Sequence, residues 1–155
     1  MTSALLISGC GTARPTGPTA HSTANGVTVT VALLPTSSGQ REIRATFSPG
    51  QTGFHLYSID LPPEGIDGLG IPTRLSVQGD LTATGKPATD RPIRLLRPAG
   101  LQVELPVYSD GAVTFTLPVR QTGSHQAEAV VSYGACSETR CLTPVTDKVI
   151  RLSLD

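Results

Sequence analysis

The sequence predicts an all-β protein, an antiparallel β-sandwich of immunoglobulin type with about eight strands. Three observations predict this fold class. Several runs alternate apolar and polar residues with a period of two, as half-buried strands do. The 155 residues include 16 Gly and 13 Pro, which favour turns and interrupt helices. No window of about 12 residues carries an apolar stripe at helical spacing.

The alternation is clearest at residues 27–34 (VTVTVALL) and 112–120 (AVTFTLPVR), where every second residue is Val, Leu or Phe. Pro106 and Pro118 interrupt two of the runs, and proline cannot donate a ladder hydrogen bond, so those strands are expected at an edge or a bulge. Residues 62–73 (PPEGIDGLGIPT) are expected to form an ordered loop over one end of the sandwich. Further runs typical of short strands are REIRATFSP, GFHLYSIDLP, TRLSVQGDLT, LQVELPVY, AEAVVSYGAC and KVIRLSLD.

The chain is expected to divide into a truncated lipoprotein signal with a flexible spacer, residues 1–25, and an immunoglobulin-like domain, residues 26–155. Residues 7–10 (ISGC) resemble the bacterial lipobox, in which Cys10 would carry the lipid. Fewer residues precede Cys10 than a secretory signal needs, so the true start lies further upstream or the match is accidental. Residues 11–25 are polar and rich in Thr and Pro, as in a flexible spacer.

The overall charge excludes one class of partner. The 12 Lys and Arg residues are balanced by 12 Asp and Glu residues, for a formal net charge of +0. A nucleic-acid surface needs an excess of positive charge, so no nucleic-acid partner is predicted. No run approaches the roughly 20 apolar residues that span a bilayer as a helix. Membrane contact is therefore expected through the lipid anchor alone.

Cys136 and Cys141 lie in the segment VVSYGACSETRCLTPV near the C-terminus. The pair is open to three interpretations: a structural staple, half of a metal site, or a redox couple. Because the loop that it closes is short, a staple here would contribute only about 2 kcal/mol on the chain-entropy estimate. The bond is expected at a hairpin between the last two strands, near solvent, where short bridges exchange more readily.

Metal binding and hydrolysis are less well supported. A closed zinc site needs four ligands, usually arranged as two pairs. Beyond the cysteine pair the chain offers only Cys10, His21, His55 and His125, so no metal and no cofactor are predicted. No Gly-x-Ser-x-Gly motif or Cys-His signature connects His55 or His125 with a nucleophile.

Four segments, GFHLYS, LPPEGIDGLGIPT, VYSDG and SYGACSETRCLTPVT, resemble the N-terminal extracytoplasmic domain of the thiol:disulfide interchange protein DsbD. The resemblance covers about residues 45–155. It implies an immunoglobulin-like fold with one redox-active cysteine pair. It also implies a thioredoxin-like or membrane-embedded thiol electron carrier as donor and oxidised envelope proteins as acceptors. Those donor domains are not in this sequence, so separate partners are expected.

The resemblance assigns roles to individual residues. Cys136 and Cys141 would be the redox pair, Tyr57 would line the site, and Tyr108 falls in the segment that caps the cysteines in the family. The cap segment departs from the best-known members, because Val107 stands where they carry Phe. Ordinary core packing is the alternative role for both tyrosines.

Residues beside the cysteine pair complete the predicted site. Tyr133 and Pro144 flank the pair and match the family, although Tyr133 also fits an alternating core strand. Arg140 adjoins Cys141 and would favour its thiolate, whereas Glu138 would oppose it, so Cys141 is predicted to be the attacking sulfur. The competing hypothesis is a lipid-anchored immunoglobulin-like binding or adhesion module with an inert disulfide.

Overall fold

A computed structural model describes residues 16–154, which form thirteen β-strands. Within this range there is no helix, and so none long and apolar enough to cross a bilayer. Cys10, the predicted lipidation site, lies outside the described residues.

The larger of two main sheets is antiparallel throughout. Every second residue of its long strands is apolar and buried, which explains the period-two pattern. In spatial order its strands are β1 (Thr19–Ala24), β2 (Val27–Pro35), β3 (Arg41–Pro49), β10 (Val113–Gln121) and β6 (Leu81–Ala83), with β7 (Ala88–Thr89) also paired to β10.

The second main sheet packs over the first and closes the core. Its spatial order is β13 (Val145–Leu152), β11 (Ala127–Tyr133) and β5 (Arg74–Gly79). An edge-to-face aromatic contact joins the layers, because the ring centroid of Phe47 in the first sheet lies 5.6 Å from that of Tyr133 in the second. Within the first sheet, the Phe47 centroid lies 5.4 Å from that of Phe115. Apolar residues of both sheets form one buried cluster. The predicted all-β sandwich is therefore confirmed.

Two short ladders lie beside the main sheets and carry Cys136 and the residues around it. One pairs β4 (His55–Leu56) with β12 (Ala135–Cys136), and the other pairs β8 (Ile93–Leu96) with β9 (Leu105–Tyr108). A single bridge between Tyr57 and Val107 connects β9 to the residue that follows β4. These elements form a second, smaller buried cluster around Cys136.

Residues 19–24 lie in the predicted spacer but form strand β1. Their small and polar side chains lack an apolar alternation, although Ala20 and Ala24 pack on the core. The sequence feature that could have predicted this strand is the Asn25-Gly26 pair. Its φ angles of 47° and 78° form the tight turn between β1 and β2. Position 26 also lies against Leu142, where a Cβ would come within 2.8 Å of the leucine Cδ1.

The strand count exceeds the predicted eight because β1, β7 and β8 lie outside the predicted runs and two of those runs divide. The run AEAVVSYGAC divides into β11 and β12, and the run TRLSVQGDLT divides at Asp80 into β5 of the second sheet and β6 of the first. The Asp80 carboxylate accepts backbone hydrogen bonds from His125 at 2.7 Å and Gln126 at 2.9 Å, which fixes the corner. Pro118 lies inside the large sheet, between the segments of β10 that pair with β7 and β6, so its missing donor leaves no partner unsatisfied.

Candidate functional site

A disulfide joins Cys136 and Cys141 across a tight turn near the end of the sandwich. The Ser137 amide donates to the Arg140 carbonyl at 2.8 Å, and the Ser137 hydroxyl accepts from the amides of Thr139 and Arg140. Cys136 is buried, with 4% exposure, whereas Cys141 is exposed. The bond therefore joins a residue inside the protein to a residue at its surface.

The β4–β12 ladder sets which side chains surround Cys136. Cys136 is paired with His55, and Ala135 is paired with Leu56. Residues directly opposite each other on paired strands project to the same face of the ladder. Leu56 and Ala135 belong to the main core, so His55 and Cys136 project to the other face. The buried cysteine thus sits opposite a buried histidine.

Tyr57 contacts the buried sulfur directly. Its hydroxyl donates a hydrogen bond to Cys136 Sγ at 3.2 Å, and burial raises the pKa of Tyr57, so the phenol keeps its proton. Its carbonyl accepts from the Thr73 hydroxyl at 2.7 Å. Gly70 has a φ of +83°, and a Cβ there would lie 3.1 Å from the Tyr57 ring. Glycine at this position therefore lets the loop pack on the tyrosine.

The cover over Cys136 is apolar and, apart from Tyr57, aliphatic. Tyr57, Leu61, Leu105 and Val107 form one buried cluster with Cys136. The partly buried side chains that pack against this cluster include Ile66, Leu69, Leu96 and Val103. The loop expected over residues 62–73 supplies two of them, so it does form an ordered cover at this end of the sandwich.

His55 is a functional candidate, although no motif in the sequence connects it with a nucleophile. Its side chain is 1% exposed, and Nε2 has no hydrogen-bond partner among residues 16–154. Nδ1 lies 3.3 Å from Asp110 Oδ1, and Arg94 pairs with the same oxygen at 3.1 Å. Burial and the Arg94 charge lower the pKa of His55, and the Asp110 carboxylate opposes this shift. The sequence feature that could have identified His55 is its place in FHLY, a strand pattern that is otherwise apolar.

Arg140 lies on the exposed turn, but its guanidinium is engaged by neighbours. It stacks 5.3 Å from the Phe54 ring centroid and donates a hydrogen bond to the Gln51 side chain. Glu138 is exposed on the same turn. In the part of the chain described by the structure, no group of three or more His, Cys, Asp or Glu residues is placed to hold a metal ion.

Tyr108 does not cover the cysteines, contrary to the expectation for the cap segment. Its side chain is fully buried in the main core, where its ring lies 5.6 Å from that of Phe115. Its hydroxyl accepts from the Ile59 amide at 3.1 Å. Neighbouring residues on a strand point to opposite faces, so Val107 is the residue of this segment that reaches the Cys136 cluster.

Tyr133 and Pro144 also lie outside the cluster around Cys136. Tyr133 packs in the main core and donates its hydroxyl to the Ala24 carbonyl at 3.1 Å. Pro144 is exposed, and its carbonyl accepts from the Asn25 side chain at 3.2 Å. Both residues therefore connect the segments that flank the disulfide to the β1–β2 turn.

Comparison with known proteins supports the fold. No protein-family model matches the chain, and no curated protein matches it. The N-terminal periplasmic domain of ScsB from Proteus mirabilis superposes with a TM-score of 0.58 at 18% identity, over 86% of this chain and 50% of that one. The reduced N-terminal domain of Neisseria meningitidis DsbD superposes with a TM-score of 0.47 at 14% identity, over 88% of this chain and 83% of that one.

The superposition on the ScsB domain establishes a shared fold. The solved neighbours also include a DsbD N-terminal domain, the domain that the sequence resembles. The chain spans half the length of the ScsB domain that it matches.

Proposed function

We propose that this chain is an extracytoplasmic thiol:disulfide interchange domain that passes electrons through Cys136 and Cys141. The observation that carries the proposal is the asymmetry of the bond, with Cys141 exposed and Cys136 buried beneath an apolar cover. Exchange requires a thiolate to reach one sulfur, and exposed bridges are the labile ones. A purely structural bridge across a turn this short would stabilise the fold little.

The reduced domain would act in two steps. The Cys141 thiolate attacks a disulfide of an oxidised protein, forms a mixed disulfide and releases one thiolate of that protein. Cys136 then attacks Cys141 Sγ, which re-forms the internal disulfide and releases the second thiolate. Two electrons pass from the domain to the acceptor, and a donor dithiol restores the reduced state by the reverse exchange.

The electron donor would be a thioredoxin-like or membrane-embedded thiol carrier, and the acceptors would be oxidised envelope proteins. The periplasmic origin named for the ScsB neighbour supports a location outside the cytoplasm. Cys10 would anchor the chain through a lipid. The intact mass of the protein isolated from its host should show an acyl adduct on Cys10, and an unmodified cysteine there would overturn the anchor without affecting the exchange function.

The reduction potential tests the exchange function. The chain with Cys10→Ser keeps Cys136 and Cys141 as its only thiols, because the sequence has three cysteines. Equilibration with glutathione buffers and thiol trapping should give a potential above about −300 mV, the upper limit for typical structural bridges. A bridge that remains oxidised through the most reducing buffer would favour the inert binding or adhesion module instead.

Single-cysteine variants test which sulfur attacks. With Cys10→Ser as background, Cys136→Ser leaves Cys141 as the one thiol and should accumulate a mixed disulfide with an oxidised protein disulfide or with thioredoxin. The matched variant, Cys141→Ser, leaves only the buried thiol and should form that adduct at least about tenfold more slowly, because access limits exchange. Equal trapping by both variants would refute the assignment of Cys141 as the attacking residue.

A further inference from the structure

The histidine opposite the buried cysteine has a polar partner at only one of its two ring nitrogens. His55 is paired with Cys136 across the β4–β12 ladder and projects to the same face. Its Nε2 is buried without a hydrogen-bond partner among the described residues, whereas Nδ1 faces the Asp110 carboxylate. A buried polar atom without a hydrogen bond is unfavourable and rare in folded proteins, so an unpartnered Nε2 here points to a role beyond packing.

Four ionisable side chains surround the His55 imidazole: Asp110, Arg94, Tyr57 and Glu138. Asp110 Oδ1 lies 3.3 Å from Nδ1, and Arg94 holds that carboxylate at 3.1 Å. The Tyr57 ring meets the imidazole edge to face, with centroids 6.2 Å apart. The exposed Glu138 on the cysteine turn contributes a more distant negative charge. With Nδ1 directed to the carboxylate, Nε2 is the ring nitrogen without a hydrogen-bond partner among residues 16–154.

We infer that His55 is the proton acceptor for the Cys136 thiol when Cys136 closes the disulfide. This inference rests on the exchange function proposed above. In that step the Cys136 S–H proton passes to Nε2 of the neutral imidazole. The resulting thiolate attacks Cys141 Sγ, the internal S–S bond forms, and the mixed disulfide breaks to release the acceptor's thiolate. The proton then leaves the imidazolium for solvent or for the departing thiolate.

Burial of Cys136 makes such an acceptor necessary. The cysteine lies under an apolar cover, where forming an isolated thiolate is unfavourable because charge is poorly solvated. Tyr57 donates a hydrogen bond to the sulfur, so it can stabilise the thiolate but cannot accept the proton. Burial also lowers the pKa of His55, which keeps the imidazole neutral and able to accept a proton at neutral pH.

The test separates the two thiol reactions in time. The reduced chain with Cys10→Ser is mixed with excess dithiodipyridine, and pyridinethione is followed by stopped-flow absorbance. The first equivalent reports attack by Cys141, and the second reports closure by Cys136. His55→Gln should leave the first phase unchanged and slow the second by about 10-fold to 100-fold, the lower range for general base catalysis.

The pH profile distinguishes proton transfer from a structural effect. In the parent, the rate of the second phase should rise with pH through an inflection below the ordinary histidine pKa, and His55→Gln should lose that inflection. Asp110→Asn, at an exposed position, keeps the imidazole but removes the carboxylate that raises the pKa of His55, so the inflection should move to lower pH. This second variant keeps the test decisive if His55→Gln does not fold.

His125→Gln is the matched control, since His125 is an exposed histidine on a distant turn, and it should reproduce the parent in both phases. A second phase in His55→Gln with the parent's rate and inflection would overturn the inference. An inflection that Asp110→Asn leaves unmoved would overturn it as well. Both results would leave the exchange function standing, whereas a parent that releases no pyridinethione from Cys141 would contradict the exchange function itself.

Discussion

The hydrogen bond from Tyr57 to the buried sulfur should tune the reduction potential of the pair. Tyr57→Phe removes only the hydroxyl that donates to Cys136 Sγ at 3.2 Å and keeps the ring in its cluster. A disulfide sulfur is a weak acceptor, whereas a thiolate is a strong one. The hydroxyl therefore stabilises the reduced, ionised form more than the oxidised form, and its loss should make the disulfide harder to reduce.

The size of the effect follows from the charge on the acceptor. A hydrogen bond to a charged group contributes about 1.5–3 kcal/mol. Taking about 1.5 kcal/mol as the difference between the two redox states, the potential of Tyr57→Phe should be about 30 mV more negative than that of the parent. The same energy corresponds to a change of about tenfold in the equilibrium with glutathione.

Glutathione equilibration at about pH 9, where an ordinary cysteine is largely ionised, measures this shift. At about pH 6 the sulfur of a protonated thiol is a weak acceptor and the shift should shrink. Tyr133→Phe is the matched control, because that hydroxyl is also partly buried but donates to the Ala24 carbonyl. If Tyr57→Phe and Tyr133→Phe have the same potential at the higher pH, the proposed tuning is wrong.

Three further predictions concern stability and are measured by urea or thermal unfolding. Phe115→Ala removes a fully buried ring between two aromatic neighbours and should lower the free energy of unfolding by about 3–5 kcal/mol; a loss below 1 kcal/mol would contradict that packing. Gly26→Ala forces a side chain into a left-handed turn and should cost at least about 1 kcal/mol, whereas Gly39→Ala, in open space at the same φ of 78°, should cost less. Backbone hydrogen bonds from Gln126 and His125 lower the pKa of Asp80 in the folded protein. The Asp80 carboxylate therefore stabilises the fold at pH values above the ordinary carboxyl pKa, and this stabilisation is lost as the pH falls through the lowered pKa of the folded state. Asp80→Asn should therefore flatten the loss of stability in acid, and an unchanged acid profile would refute this assignment.

The long strands were predictable because their signal is local. The runs at residues 27–34 and 112–120 correspond closely to β2 and β10, since alternation between a buried and an exposed face repeats within a single strand. The edge strand β1 escaped prediction because its side chains are small and polar. The Asn25-Gly26 turn that follows β1 indicates a hairpin, although the residues of β1 themselves do not indicate a strand.

The site was only partly predictable because its contacts are distant in sequence. The cysteines and Tyr57 could be proposed from the resemblance. Their contact could not, because Tyr57 and Cys136 are 79 residues apart and no local sequence pattern indicates that they are neighbours. The pairing of His55 with Cys136 depends on the register of a two-residue ladder. The position of Tyr108 depends on which face of β9 it occupies, and a shift of one residue reverses that assignment.

The direction of β1 has a consequence for how the domain would stand on a membrane. Its last residues reach the Asn25-Gly26 turn, which contacts Pro144 and Leu142 next to the disulfide. Its first residue lies five residues earlier, about 17 Å away along an extended strand. The chain therefore enters the domain at the end remote from Cys141. If Cys10 carries a lipid as proposed, the membrane would lie at the end of the sandwich where β1 begins. Cys141, the sulfur proposed to exchange, would then face away from the membrane, toward proteins that diffuse past the surface.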